Sequence, residues 1–286
     1  MSDFKAWFNG YDLSALFVIS PPERNLVTWE PTMADMPAGY GSLFVGTKAE
    51  AMEIKLTLTT FSETEEQRLD DLRTLSSFLF VTEPRRLYLT DEHFDAYFPD
   101  DQGLTDCHLY RYALPKGTPK VTHALNAATA ELTFVCPDPR AYASTAPPLA
   151  LDVRNIVYID STEGYDGILF GTAPMGVTID LQDVCGGSDG KFQLVITCYY
   201  DNEEFGENPA MPGFGGVLTI DLASNANATL HIDSEKRIFK LNDQPQPLPL
   251  GCDWVRLVGG RRVTMEVTSG SFLSGDSYFA YQPRWW

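Results

Sequence analysis

The sequence predicts a mainly β protein of two domains. The first is β-rich with one α-helix, and the second is a β-sandwich of jelly-roll type. Three observations carry this. Alternating apolar and polar residues recur through the 286-residue chain, and a period of two marks a strand with one face in a core. One segment, 62–80, switches to helical spacing. A small-residue, proline-rich stretch at 143–148 follows a strand closed by Pro137-Asp138-Pro139, as a short stiff linker would. The expected division is 1–142, a linker over 143–148, and 149–286. At roughly 100–200 residues per domain the length suits two cores, neither needing a disulfide or metal staple.

Along the chain, 52–59 alternates strictly, with Met52, Ile54, Leu56 and Leu58 on one face. Residues 62–80 predict the helix. Ser62 and Glu65 have capping-box spacing, and Glu63, Glu65 and Glu66 suit the positive end of its dipole. Leu69, Leu72, Leu75, Phe78 and Leu79 form its apolar stripe, and Glu83-Pro84 ends it. The stretch 104–121 predicts a hairpin with its tip at Pro115-Lys116-Gly117, and 130–136 a further strand. Beyond 149, short strands alternate with glycine and asparagine turns, among them Gly186-Gly187, Asn242-Asp243 and Gly259-Gly260. The strands 217–222 and 262–267 alternate clearly.

Composition excludes several classes. Lys and Arg total 21 against 39 Asp and Glu, a net charge of −18. The excess is even, −9 in residues 1–143 and −9 in 144–286. Such a surface repels phosphate backbones, and the sequence has no basic patch for nucleic acid. Solubility is the plainer account of the acid; an acidic wall that faces a polyanion without gripping it is the sharper alternative. No apolar run reaches the roughly 18 residues of a membrane-spanning helix. The N-terminus lacks the basic head and apolar core of an export signal. Five cysteines at wide spacing, without C-x-x-C, and four scattered histidines argue against a disulfide framework or a zinc site. They fit a reducing cytoplasm during folding.

No reaction centre emerges, and no catalytic, metal or cofactor-binding residue is expected. Gly213-Phe214-Gly215-Gly216 lacks dinucleotide-fingerprint spacing. Asp106-Cys107-His108 joins triad residue types, but strand neighbours point to opposite faces. The carboxylates Asp201, Glu203 and Glu204, beside Tyr199 and Tyr200, have the types for glycoside hydrolysis or, with Asn202 and Glu207, for calcium. An acidic loop between strands is the favoured reading of them. Trp254, Tyr199, Tyr200 and Phe214 suit either a sandwich core or stacking on sugars. The terminal Trp285-Trp286 pair is expected to pack on the domain or a partner.

Several stretches resemble the siphophage distal tail proteins. Phe8 to Ser14 resembles the family's opening strand and turn. Leu72 to Phe98 resembles its helix end, Glu83-Pro84 step, Leu87-x-Leu89 strand, Asp91-Glu92 turn and Ala96-Tyr97-Phe98. Glu131 to Tyr142, with Phe134-Val135-Cys136-Pro137-Asp138-Pro139, resembles the close of its N-terminal domain. In the second half, 177–181, 230–233, 237–243 and 254–257 fall where the family has strands. Leu257-Val258-Gly259-Gly260-Arg261-Arg262 departs from its usual Leu-x-Pro-Gly-x-Asn.

The resemblance implies a virion protein assembled in the host bacterial cytoplasm. It implies a six-fold ring at the tip of a long non-contractile tail, formed by the N-terminal domains around the DNA channel. The C-terminal domain would be galectin-like and project outward. Partners would be other copies of the chain, the tail-tube protein, the tail-tip protein and receptor-binding proteins. DNA would pass without specific binding, and no membrane insertion is implied. The tip residues Leu114, Pro115, Lys116 and Gly117 are the expected arm between neighbouring subunits. Asp201, Glu203, Glu204 and Phe214 are the expected peripheral docking loop. Two alternatives remain open, a glycan-binding sandwich over 149–286 and a glycan hydrolase using the carboxylates near Asp201.

Overall fold

The computed structural model describes residues 4–35, 42–60, 62–98, 103–124, 127–144, 154–159, 164–169, 171–200 and 210–286. The chain is mainly β, as expected, with one α-helix among the described residues. It divides into two compact units, one of residues 1–97, 103–151 and 286, the other of 98–102 and 152–285.

In the first unit, alternation sets the faces of a long antiparallel sheet. Its path runs from Tyr11–Asp12 through Ala6–Phe8, Arg85–Phe98, Gly103–Pro115, Ala127–Cys136 and Met52–Thr60 to Phe17–Ile19. The central pair is in strict register, Leu56 opposite Leu132 and Ile54 opposite Phe134. All four of these side chains are buried, with Leu58, Phe8 and Leu87 beside them. A one-residue slip would turn every one of them to solvent. Phe8 packs on Phe134 with ring centres 4.9 Å apart. Burying each such side chain contributes about 1.5–3 kcal/mol.

The helix runs Glu65–Leu79, close to expectation, but its cap is Thr64 rather than Ser62. Thr64 has extended backbone, and its hydroxyl accepts the Gln67 amide at 3.3 Å. Ser62 instead donates its hydroxyl to Asp71 at 2.5 Å. The apolar stripe is narrower than expected. Leu75 is fully buried, Leu72, Phe78 and Leu79 pack partly on the core, and Leu69 is exposed.

The second unit is a sandwich. One sheet runs Asn155–Tyr158, Tyr278–Tyr281, Thr178–Val184, Ala228–Asp233, Ile238–Leu241, Gln244–Pro245; the other runs Tyr165–Ile168, Arg262–Ser269, Lys191–Cys198, Gly216–Asp221. Phe192, Leu194, Ile196 and Cys198 point inward from one layer, Ile179, Leu181, Leu230 and Ile232 from the other. A bulge between Leu181 and Val184 places Asp183 in the left-handed region, φ 49°, and returns Val184 to the core. Asn242 and Asp243, φ 52° and 60°, make the tight hairpin turn expected of them. Gly259-Gly260 instead joins strands of different sheets. A Cβ on Gly259 would lie 2.4 Å from the Gly171 carbonyl carbon, so the position requires glycine.

Candidate functional site

Of the expected interaction residues, Leu114 to Gly117 lie in the first unit and Phe214 in the second. In the first unit, Leu114 and Pro115 end the strand Gly103–Pro115 and pair with Val135 and Phe134. The Lys116 amide donates to the Thr133 carbonyl at 2.7 Å. Its ammonium meets Glu53 at 2.5 Å, which holds the Glu53 carboxyl below its usual range. Gly117 has φ +71°, with open space where a Cβ would sit. Residues 104–121 are therefore not a hairpin closed on itself. Among the described residues, both Gly103–Pro115 and the next strand, Lys120–Ala124, pair with Ala127–Cys136. The hairpin is the one formed by Lys120–Ala124 and Ala127–Cys136, and the tip is tied to its own sheet by Lys116.

What this leaves open is an edge. Lys120–Ala124 pairs with Ala127–Glu131 on one side and, among the described residues, with no strand on the other. All five of its residues are exposed, Val121 included. Free backbone N–H and C=O groups on such an edge are a template for another strand. The sequence carries no local sign of this, because an edge is defined by what fails to pair.

Charged groups brace the same unit. Glu92 accepts a bond from Arg24 at 2.8 Å and another from Arg111, and Arg111 also donates to the Pro139 carbonyl at 3.2 Å. Arg24 holds Asp91 as well, at 2.5 Å. Asp138 accepts from Arg140 and from the Tyr142 hydroxyl. Burial acts to raise the Asp138 carboxyl, and these hydrogen bonds outweigh it, so the carboxyl lies below its ordinary range. The Cys136 thiol, by contrast, is pushed up to about 12 by burial, which makes it inert at neutral pH.

In the second unit, Asp201, Glu203 and Glu204 lie outside the described residues. Phe214 is described. It packs partly on the sandwich core and lines a cleft of about 400 Å³ with Ser234, Arg237, Asp253, Trp254 and Arg256. Three loops far apart in sequence build it. The glycine loop 213–216 is pinned by the Gly215 amide, which donates to the Arg256 carbonyl at 2.8 Å. Gly215 has φ +85°, and a Cβ there would lie 2.3 Å from the Ile196 carbonyl oxygen. The turn after Ala228–Asp233 is held by Asp233, whose carboxylate accepts the Glu235 and Lys236 amides. That turn carries Arg237 in the left-handed region, φ 55°. The third loop, 253–256, alternates. Val255 and Leu257 are buried, while Arg256 is exposed and Trp254 half-buried.

Of the residues expected at a glycan site, Phe214 and Trp254 come together here, and Tyr199 does not line this cleft. Arg237, Arg256, Asp253 and Ser234 were not expected. Only Arg256 left a signal, since a period of two puts it on the outward side with Trp254. Cys185 and Cys198 are both free thiols. Cys198 is buried, and the Cys185 sulfur lies 3.0 Å from the Ser271 hydroxyl. Among the described residues no group of three His, Cys, Asp or Glu side chains is arranged to hold a metal.

No family model and no curated protein matches the chain. Solved structures do. The phage P2 baseplate in its activated conformation, with Ca and with Sr, aligns over 98% of this chain at 8% identity, with TM-scores of 0.40 and 0.38; at that overlap nothing further rests on it. The Dit protein (gp 19.1) of phage SPP1, described as a paradigm of the hub adsorption apparatus in phages that infect Gram-positive bacteria, aligns at 14% identity and a TM-score of 0.63. Across 98% of both chains, the molecule has the fold of the SPP1 hub protein Dit.

Proposed function

We propose that the chain is a structural hub of a siphophage tail tip, a distal tail protein that closes into a ring of identical subunits. The observation that carries this is the open edge Lys120–Ala124, together with the fold shared with SPP1 Dit. Head-to-tail contacts between identical subunits must close into a ring or run on as a filament. On this reading 1–142 is the ring domain, 143–148 the linker and 149–286 a galectin-like domain that presents loops outward. The strand Lys120–Ala124 meets the neighbouring copy, with Leu114 to Gly117 at its root. The loop that holds Asp201, Glu203, Glu204 and Phe214 docks a peripheral partner.

The hub then joins tail-tube and tail-tip proteins in the virion, carries receptor-binding proteins and surrounds the DNA channel in a six-fold ring. The net charge of −18 suits a channel that DNA must slide through, because a basic lining would hold phosphates. No step of this role requires catalysis.

The test is the mass of the purified full chain by light scattering, with negative-stain images. A ring is expected. Val121→Pro and Thr122→Pro then separate edge from interior. Adjacent residues on a strand point their N–H groups to opposite sides, and proline is tolerated where the N–H faces outward. One of the two variants should fold normally and remain monomeric. A wild-type chain that is strictly monomeric at high concentration, or two folded variants that still form rings, would overturn the reading.

A further inference from the structure

We infer that the cleft between the 213–216, 234–237 and 253–256 loops binds a saccharide carrying an anionic group, a phosphate or a carboxylate. This goes beyond the hub role and does not depend on a ring. Four observations converge on it.

The first is charge. Among the described residues, Arg237 and Arg256 both line the cleft, against the one carboxylate of Asp253. The whole chain carries −18, so a cationic cleft is not a by-product of composition. Among the described residues neither guanidinium is in an ion pair, so both are available to an anion. A planar guanidinium with paired donors matches phosphate or carboxylate oxygens.

The second is the aromatic wall. Trp254 and Phe214 pack partly on the sandwich core and also line the cleft. An aromatic face held in place this way suits the apolar C–H face of a sugar ring, at little cost in side-chain ordering.

The third is polar capacity. Asp253 accepts hydrogen bonds from hydroxyls. The Ser234 side-chain oxygen is buried and, among the described residues, has no hydrogen-bond partner. Buried hydroxyls are nearly always partnered, and this one belongs to a residue in the cleft wall. Its side chain turns on χ1 alone, the one torsion that would bring the hydroxyl to an occupant.

The fourth is a built frame. The Ser234 amide donates to the Val177 carbonyl at 3.0 Å, and the Gly215 amide to Arg256 at 2.8 Å. Glycine at 215 is enforced by the Ile196 carbonyl. About 400 Å³ lies within the usual ~300–1,000 Å³ of small-ligand sites, room for a short saccharide and too little for a folded partner.

The experiment titrates the full chain with glucose 6-phosphate, glucuronate, glucose and inorganic phosphate, by calorimetry and by tryptophan fluorescence. The two charged sugars should bind at least about tenfold more tightly than glucose and than inorganic phosphate. Arg256→Met and Arg237→Gln, both at exposed positions that leave the core intact, should each weaken the charged sugars about tenfold or more and leave glucose unchanged. Trp254→Leu should weaken all three sugars and not inorganic phosphate. Phosphate binding as tightly as the sugar phosphate would reduce the cleft to an anion site and overturn the inference. So would equal binding of glucose and its phosphate, or no binding of either charged sugar. None of these outcomes bears on whether the chain forms a ring.

Discussion

The charge cluster around Glu92 gives a quantitative test of what braces the first unit. Glu92→Gln keeps the shape of the side chain and removes the charge that Arg24 and Arg111 share. The Arg24 guanidinium still has Asp91. Arg111 keeps only neutral acceptors, the Pro139 carbonyl and the substituted amide oxygen, and its side chain is 6% exposed against 8% for Glu92. An uncompensated charge at that depth costs about 3–5 kcal/mol, where an exposed pair would cost about 1 or less. For a unit of this size each kcal/mol shifts the midpoint by about 2–4 °C. The variant should therefore melt roughly 6–20 °C lower. Thermal and urea unfolding by circular dichroism give the size of the loss. Amide exchange at Leu87 and Leu89 assigns it to the first unit. Replacing Glu92 and Arg111 together by leucine should recover most of the loss. The cluster is incompletely satisfied already, since the second Glu92 oxygen and the Arg24 Nε have no partner among the described residues, and removing both charges strands neither. A loss below about 1 kcal/mol in the single variant would refute the claim that this pair is held away from water.

Two further outcomes follow from local chemistry. Thr64→Ala should destabilise the helix by about 1 kcal/mol and speed exchange of the Gln67 amide, while Ser62→Ala leaves that amide protected; the reverse pattern would restore Ser62 as the cap. The second outcome concerns acid. Asp138 and Asp233 both titrate below their ordinary range, because hydrogen bonds from Arg140 and Tyr142, and from Lys236 and the Glu235 amide, outweigh the opposing effect of burial. The native state then binds fewer protons than the unfolded one, so this stability is complete above the ordinary aspartate range near 3.9 and disappears as pH falls through the lowered native values. Urea midpoints should hold steady from pH 7 to about 5 and fall below about 4. Asp138→Asn with Asp233→Asn should flatten that fall, and an unchanged slope would show that other groups control it.

Much of this molecule was written locally in its sequence. Strict alternation at 52–59 identified the strand Met52–Thr60 and its buried face, because the period of two is a property of the strand itself. Helical spacing over 62–80 identified Glu65–Leu79. Asn242-Asp243 identified its own turn, since those residues tolerate positive φ. The exact cap was less legible. Ser62 and Thr64 both offer a hydroxyl, and the choice depended on Asp71, about two helical turns away, which takes the Ser62 hydroxyl.

Other features came into being only when distant segments met. Residues 104–121 look like a hairpin because two runs flank a Pro-Lys-Gly turn, yet both runs pair with Ala127–Cys136. Strand partnership is a long-range choice, set by which apolar faces share a core, and local alternation is blind to it. The cleft depends on the same kind of choice. Its walls come from residues 213–216, 234–237 and 253–256, and nothing in any one loop signals the other two. Phe214 and Trp254 were visible as aromatics, and a period of two pointed Arg256 outward beside Trp254. Arg237 and Ser234 joined them only because two sheets packed face to face and brought their connecting loops together. Composition and periodicity determine which side of a strand is apolar; which strands become neighbours, and therefore which side chains share a site, is settled by the packing of the whole core.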